Sequence, residues 1–560
     1  MRNAPEIIEV DSTRLEQILE RVEQALDEQD VALIRAVFRS YVYVADLVED
    51  KNTSIRRLRQ LFFGARTEKT KAVVGGDENP AATPQRDPAA ATAFAAGQPA
   101  ADESNEADTG PARKGHGRNG ADAYRGAERI DVPHAALAAG DACPACADGI
   151  VYEKPPGVLV RISGQPPLVA QVYQLQKLRC HLCGQVFTAA APAAAGDGKY
   201  AATAGSMIGL LKYGSGLPFN RLEGLQGHLE IPLPASTQWD IVQAVAAAIA
   251  PAFAELTRQA AQGDVLHNDD TTVKILELMG ERGRQEALAR AQDEGKDADP
   301  RSGLYTSGVV ALRDGQRVAL FFSGRRHAGE NLAEVLKLRA AELPPPIQMC
   351  DALSRNLPGE LQTLLAHCLA HARRQFVEVH ERFPEPCRHL LETLAVVYRN
   401  DARAQERALS PAERLQWHQQ ESQPIMQELH AWLKRQLDEK LAEPNSALGG
   451  AIRYMLRHWD KLTLFLRQAG APLDNNVCER ALKKAILHRK NALFYKTQNG
   501  ARVGDLFMSL IYTCQLNDAN PFDYLTQLQR HADRVAASPE RWMPWNYRTA
   551  LLDESSEPTK

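Results

Sequence analysis

Three carboxylates stand where separate elements could bring them together. Asp269 lies inside a strand-like run, Asp351 ends another, and Glu479 sits in the first turn of a late helix. Each has an ordinary explanation by itself: an Asp forms turns, and an acid in a helix's first turn favours the macrodipole. As a set they meet a chemical requirement. Two divalent cations about 4 Å apart need oxygen donors converging from several elements to clamp a phosphodiester. Directly after Glu479 the chain turns basic, with Arg480, Lys483, Lys484, His488, Arg489 and Lys490, then Lys496 and Arg502. That run is either a solvated helix face or a phosphate-binding strip.

A second constellation is sulfur-based. Cys143-Pro-Ala-Cys146 and Cys180-His-Leu-Cys183-Gly184 are two CxxC pairs separated by 33 residues. Two such pairs can present four thiolates tetrahedrally to one structural Zn²⁺, each forming a knuckle turn. The strand-like stretches Gly157–Ser163 and Leu168–Leu178 between them suit a zinc ribbon. The alternatives are unrelated cysteines or a redox Cys-Pro-x-Cys, but no βαβ pattern surrounds the motif.

The elements that must position the acids read as α+β. Val265–Leu276 is strand-like, and Leu304–Leu312 and Arg317–Ser323 are two further strands joined at Asp314-Gly315, a strong hairpin signal. A helix is expected over Gly329–Leu343, followed by a buried strand over Ile347–Asp351. From Glu360 to Gln468 nearly everything reads as helical. Asp474 or Asn475 can then cap the helix that carries Glu479. Ahead of the strands, Thr203–Ala260 reads as several helices, better matched to a plain bundle than to a DNA-reading helix-turn-helix.

The N-terminal part looks different. Leu15, Ile18, Leu19, Val22 and Leu26 follow helical spacing behind a Thr13-x-x-Glu16 capping box. Val37, Tyr41, Val44 and Val48 continue at near-heptad spacing, as a short coiled coil or a helical hairpin. From about Val74 to Arg125 Ala, Gly, Pro and acids dominate, and such a stretch is expected to be a flexible linker.

The 560 residues suggest three or four domains. Lys plus Arg number 66 against 70 Asp plus Glu, a net charge of −4, which excludes a wholesale polycation and leaves any nucleic-acid surface as a local patch. No apolar h-region opens the chain, and its longest apolar run, Ala244–Ala254, has eleven residues and contains Pro251. A membrane helix needs about 20. These features point to a cytoplasmic protein with no membrane partner, and nine Cys are too sparse for a disulfide scaffold.

Longer motifs bear a family resemblance. Asp474-Asn-Asn-Val-Cys-Glu-Arg-Ala-Leu482, followed by His488-Arg-Lys-Asn-Ala-Leu-Phe494, resembles the C-terminal signature of the IS66-type insertion-sequence transposases. Leu266-His-Asn-Asp-Asp-Thr271 resembles that family's first catalytic strand, and His367-Cys-Leu-Ala-His-Ala-Arg-Arg-Gln-Phe376 its Cys-Trp-Ala-His-Ala-Arg-Arg segment. Phe63-Gly-Ala-Arg-Thr-Glu-Lys69, the four-Cys ribbon, Asn520-Pro-Phe-Asp-Tyr-Leu525 and Met543-Pro-Trp545 occur in the matching order. Two positions depart from the pattern: Asp270 replaces the usual Glu, and Leu369 the usual Trp.

The resemblance implies a bacterial, nucleoid-associated DNA transposase with an RNase H-like DDE domain. Its catalytic and magnesium-binding triad would be Asp269, Asp351 and Glu479, holding two Mg²⁺ or Mn²⁺. Of the doubled Asp269 and Asp270 only one can face the metals, since adjacent strand residues point to opposite sides. DNA contacts are expected from Arg480, Lys483, Lys484, Arg489 and Lys490, and from His371, Arg373 and Arg374, where His371 and Arg374 share a helix face. Zinc would be held by Cys143, Cys146, Cys180 and Cys183. Partners would be the element's ends and target DNA, further copies of the chain in a synaptic complex, and small accessory proteins of the same element.

The expected order is an N-terminal helical or coiled-coil region (1–72), linker (73–127), zinc ribbon (128–192) and a helical, candidate DNA-binding segment (193–262). The catalytic domain (263–510), a mixed sheet with helices, carries a helical insertion at about 375–468, and a tail (511–560) follows. The rival readings are a zinc-ribbon DNA-binding or regulatory protein without catalysis, and an RNase H-like nuclease without strand transfer.

Overall fold

The computed structural model describes residues 137–142, 150–152, 167–179, 186–196, 198–281 and 303–556, with isolated positions between 283 and 289. The N-terminal helical region, the linker and the four zinc-ribbon cysteines lie outside the described residues. A two-stranded antiparallel ladder, β1 (Lys177–Arg179) with β2 (Val186–Thr188), brackets the second CxxC pair. An antiparallel bridge between Ala142 and Ile150 brackets the first.

The rest is α+β, with antiparallel and parallel strand pairs and many helices, a composition compatible with an RNase H-like domain. Chain contacts divide it into two compact units with interleaved segments. One comprises Ile347–Leu353 and Thr363–Asn475; the other runs to Pro346, takes in Ser354–Gln362 and resumes at Asn476.

The latter unit is built on an antiparallel meander, β3 (Val265–Thr272), β4 (Tyr305–Arg313) and β5 (Gln316–Gly324). The β4–β5 turn has positive φ at both central residues, Asp314 (49°) and Gly315 (79°), the backbone that matches the strands' right-handed twist. Helices α1 (Ala202–Gly209), α2 (Phe219–His228) and α3 (Ala235–Ala261) precede the meander. Among the described residues α3 alone is long and apolar enough to cross a membrane, yet Val242, Ile249, Ala252 and Leu256 on it are fully buried in the core. Helix α4 (Ala328–Leu336) is shorter than the expected Gly329–Leu343. Arg339 turns back instead, its guanidinium donating to the carbonyls of Ala261, Gly263 and Pro344.

The other unit opens on β6 (Ile347–Cys350), paired in parallel with β7 (Leu364–His367). This second strand falls within the stretch expected to be helical. Helices α5 (Leu369–Val379), α6 (Pro384–Glu406), α7 (Pro411–Glu421), α8 (Gln423–Asp438) and α9 (Ala447–Arg457) follow. A buried carboxylate ties α6 to α7: Asp401 accepts from Arg414 at 2.6 Å and contacts His418 Nε2 at 3.1 Å. Burial pulls Asp401 upward, but these two partners outweigh it and hold the group below its ordinary value.

After residue 475 the unit built on the meander continues with α10 (Asn476–Ala492), α11 (Gln498–Leu516) and α12 (Pro521–Arg530), and further helices follow at Ala532–Ala537 and Tyr547–Ser556. Along α11, Asp505, Ser509 and Thr513 are four residues apart and so line one face. They accept in turn from the backbone N–H of Ser323 (2.6 Å), Phe321 (2.9 Å) and Ala319 (3.0 Å) of β5.

Candidate active site

Strand β3 presents two different faces. Asp269 pairs with Gly308 and Asp270 with Ser307 across the β3–β4 ladder. Directly paired residues share a side of the sheet, and neighbours along a strand do not. A Cβ on Gly308 would stand 3.1–3.2 Å from Leu482 and 3.4 Å from Cys478 Sγ. Helix α10 therefore lies on the side to which Asp269 points, and its first turn carries Glu479 beside Cys478. The Cys478 thiol donates to the Gly308 carbonyl at 3.4 Å. Arg489, on the same helix, donates to the Thr271 hydroxyl (3.2 Å), the Thr272 hydroxyl (2.7 Å) and the Thr272 carbonyl.

The opposite face holds Asp270, whose side chain is 1 % exposed. Its carboxylate lies 2.9 Å from His327 Nδ1 and 3.4 Å from an Arg355 Nη, and accepts from the Ala328 N–H at the start of α4. On the same side Ser307 accepts from Asn331 of α4 at 2.8 Å. Asp270 thus faces α4 and Asp269 faces α10.

Asp351 belongs to the other unit, directly after β6, and its Oδ1 accepts from the Leu353 N–H at 3.2 Å. Cys350, just before it, pairs with His367, and its carbonyl accepts from the Cys368 N–H at 2.9 Å. The helices of this unit supply Asp351 with a neighbour that no motif announces. Burial, and secondarily the Asp351 charge, push the Tyr454 phenol of α9 up to about 12. His458 lies edge-on to His367, with ring centroids 5.0 Å apart. Burial, then the charges of His458 and Lys461, lower His367 to about 4. A Tyr and a His in a long run of helices carry no spacing signal, so sequence reasoning missed both.

The basic candidates separate by environment. Arg480, Lys483 and Lys490 of α10 are exposed. Lys484 is half-buried, its ammonium 5.6 Å from the centre of the Tyr512 ring, and Arg489 is engaged with β3. His488, counted in the strip by sequence, is buried and lies between the Tyr213 and Tyr495 rings. Burial, reinforced by Lys212, lowers it to about 3, so it adds no positive charge at neutral pH. On α5, His371 and Arg374 are half-buried. Arg373, between them, is 8 % exposed.

Comparisons with known proteins agree with this architecture. A family model described as "Transposase IS66 family" matches residues 198–503, more than half of the chain. Among similar proteins of Sinorhizobium fredii (strain NBRC 101917 / NGR234), uncharacterized protein y4hP is 28 % identical over 357 residues, 60 % of this chain and 61 % of that protein. Uncharacterized protein y4jD is 32 % identical over 200 residues, 34 % of this chain and 38 % of that one. Uncharacterized protein y4qI is 30 % identical over 201 residues, covering 35 % and 36 %. The chain thus spans less than two thirds of the length of each relative. The family match begins ahead of β3 and takes in α1, α2 and α3 together with the strands and α10, and on that extent the chain belongs to the IS66 family of transposases.

Proposed function

We propose that the chain is a DNA transposase in which Asp269, Asp351 and Glu479 form a DDE triad. The observation that carries this reading is the placement of Asp269 and of the helix bearing Glu479 on one face of the sheet, with Gly308 leaving room for their approach. Asp270 is engaged on the other face, which supports Asp269 as the first ligand. The donor set suits Mg²⁺ or Mn²⁺: the triad offers hard carboxylate oxygens, and the nearby Cys478 thiol is occupied with a backbone carbonyl. Divalent cations held there would neutralise phosphodiester charge and activate a hydroxyl nucleophile.

The chain's own residues then have distinct tasks. Asp269 and Glu479 fix oxygen donors on a strand and a helix that pack together. Asp351 adds a third from the end of β6. Exposed Arg480, Lys483 and Lys490 hold the DNA backbone along α10, and His371 and Arg374 offer a second phosphate contact. Hydrolysis at an element end would free a 3′-OH, whose attack on target DNA is a transesterification that needs no ATP. A structural Zn²⁺ on Cys143, Cys146, Cys180 and Cys183 is part of the same proposal, supported by the strand pairings that bracket each CxxC.

The test is Mg²⁺- or Mn²⁺-dependent nicking and joining of a DNA fragment bearing the element's ends. Asp269→Asn, Asp351→Asn and Glu479→Gln should each abolish both steps and still bind DNA. Near-normal joining by Asp351→Asn would overturn the assignment, and nicking without joined products would favour a nuclease.

A further inference from the structure

The residues on either side of Asp269 along β3 reach the same target. Asn268 is fully buried and donates through its amide to the Asn356 carbonyl at 2.8 Å. Asp270 meets the Arg355 guanidinium at 3.4 Å and His327 at 2.9 Å. His327 packs at a tilt against Tyr305 with centroids 4.2 Å apart, and the Arg355 guanidinium lies 6.0 Å from the centre of the same ring. The short helical turn Ser354–Asn356 also packs on α4. Two adjacent residues of one loop are thus gripped by the two β3 side chains that alternate with Asp269.

We infer that Asn268 and Asp270 clamp the segment that follows Asp351, making Asp270 and Arg355 positioning residues for the metal-binding carboxylates. The inference rests on the transposase reading above. Arg355 stands four residues after Asp351, so the connecting chain spans at most about 14 Å. A restraint at Arg355 and Asn356 limits where that chain can carry the Asp351 carboxylate. The burial of Asp270 fits this role. A carboxylate almost wholly removed from water is costly unless charged and hydrogen-bonded partners surround it, and here they come from the loop, from His327 and from the start of α4. Supporting partners of this kind orient metal ligands without touching the metal, and their loss typically weakens metal affinity about 10- to 100-fold.

Arg355→Ala is the primary variant, because Arg355 is partly exposed and its removal leaves the core intact. Hydrogen exchange of backbone amides over 352–362 in the full-length protein should accelerate about tenfold. Calorimetric Mn²⁺ affinity should fall about tenfold. DNA affinity should stay at the wild-type level, the melting temperature should fall only slightly because His327 and the Ala328 N–H still hold Asp270, and Arg355→Lys should recover part of the Mn²⁺ affinity. Asp270→Asn should show the same faster exchange and weaker Mn²⁺ binding. Unchanged exchange in Arg355→Ala overturns the clamp, and faster exchange with wild-type Mn²⁺ affinity overturns the positioning role. Weakened DNA affinity would instead make Arg355 a DNA contact and equally overturn it. Wild-type protein that binds no Mn²⁺ and does not nick DNA would remove the transposase reading itself, an outcome read without any clamp variant.

Discussion

Gly308 lies directly across the β3–β4 ladder from Asp269, and the space its side chain would fill is taken by Cys478 and Leu482. The first candidate ligand and the helix carrying the third are therefore coupled through a residue that does no chemistry. Gly308→Val should push α10 off the sheet, costing about 1–3 kcal/mol as an overpacking change. Thermal melting measures that cost. Cleavage should fall much further than stability, and a variant that melts lower but cleaves normally would uncouple α10 from the site.

The basic face of α10 should act through its exposed members. Replacing Arg480, Lys483 and Lys490 with Ala should weaken binding to all DNA sequences alike. The log–log salt dependence should flatten by about one for each side chain that no longer neutralises a phosphate. Arg489→Ala should behave differently, lowering stability because it frees the end of β3. Filter binding across a salt series, alongside melting curves, separates the two classes.

Asp505 makes a pH prediction. Burial raises its carboxyl to about 7 despite the hydrogen bonds from Ser323, against an ordinary value of 3.8. Between those two values the folded chain holds a proton that the unfolded chain has released. The contribution to stability is therefore complete below the lower value and declines as pH rises through the window, by up to about 1.4 kcal/mol per pH unit. Asp505→Asn can still accept from the Ser323 N–H and should lack that slope. Denaturant unfolding of both proteins from acid to neutral pH gives the difference, and parallel curves would refute it.

Zinc should be remote from the chemistry. Four thiolates complete a tetrahedral shell and leave no position for water. Reduced full-length protein should carry about one Zn²⁺ per chain, and Cys180→Ser should lose it. Metal analysis without zinc would end the ribbon assignment.

Local signals made the meander legible. Asp314-Gly315 has one dominant hairpin geometry, and the short runs on either side are rich in Val and Phe, which favours strands. Strand β7 was not legible. Leu364-Leu-Ala-His367 has no intrinsic strand preference and leads straight into α5, so its extended form comes from pairing with β6, which is tertiary information. The site divides likewise. Asp269, Asp351 and Glu479 can be picked out because acids in strands and in a capped helix stand out. Which of Asp269 and Asp270 faces α10 is told only by the partners of each face, and His327 and Arg355 lie 57 and 85 positions beyond Asp270, too far for any spacing rule.

The hydrogen bonds from β5 to α11 have a consequence for synthesis. Strand β5 is an edge strand, and Asp505, Ser509 and Thr513 engage the row of backbone donors that it would otherwise show to other chains. Those three residues leave the ribosome more than 180 positions after the strand that they cover. Until then the nascent chain carries an open, apolar sheet edge, the kind that recruits strands from other molecules. A product that stops before about residue 500, through a frameshift or an early stop codon, keeps that edge permanently and should appear in the insoluble fraction rather than as a competing DNA binder.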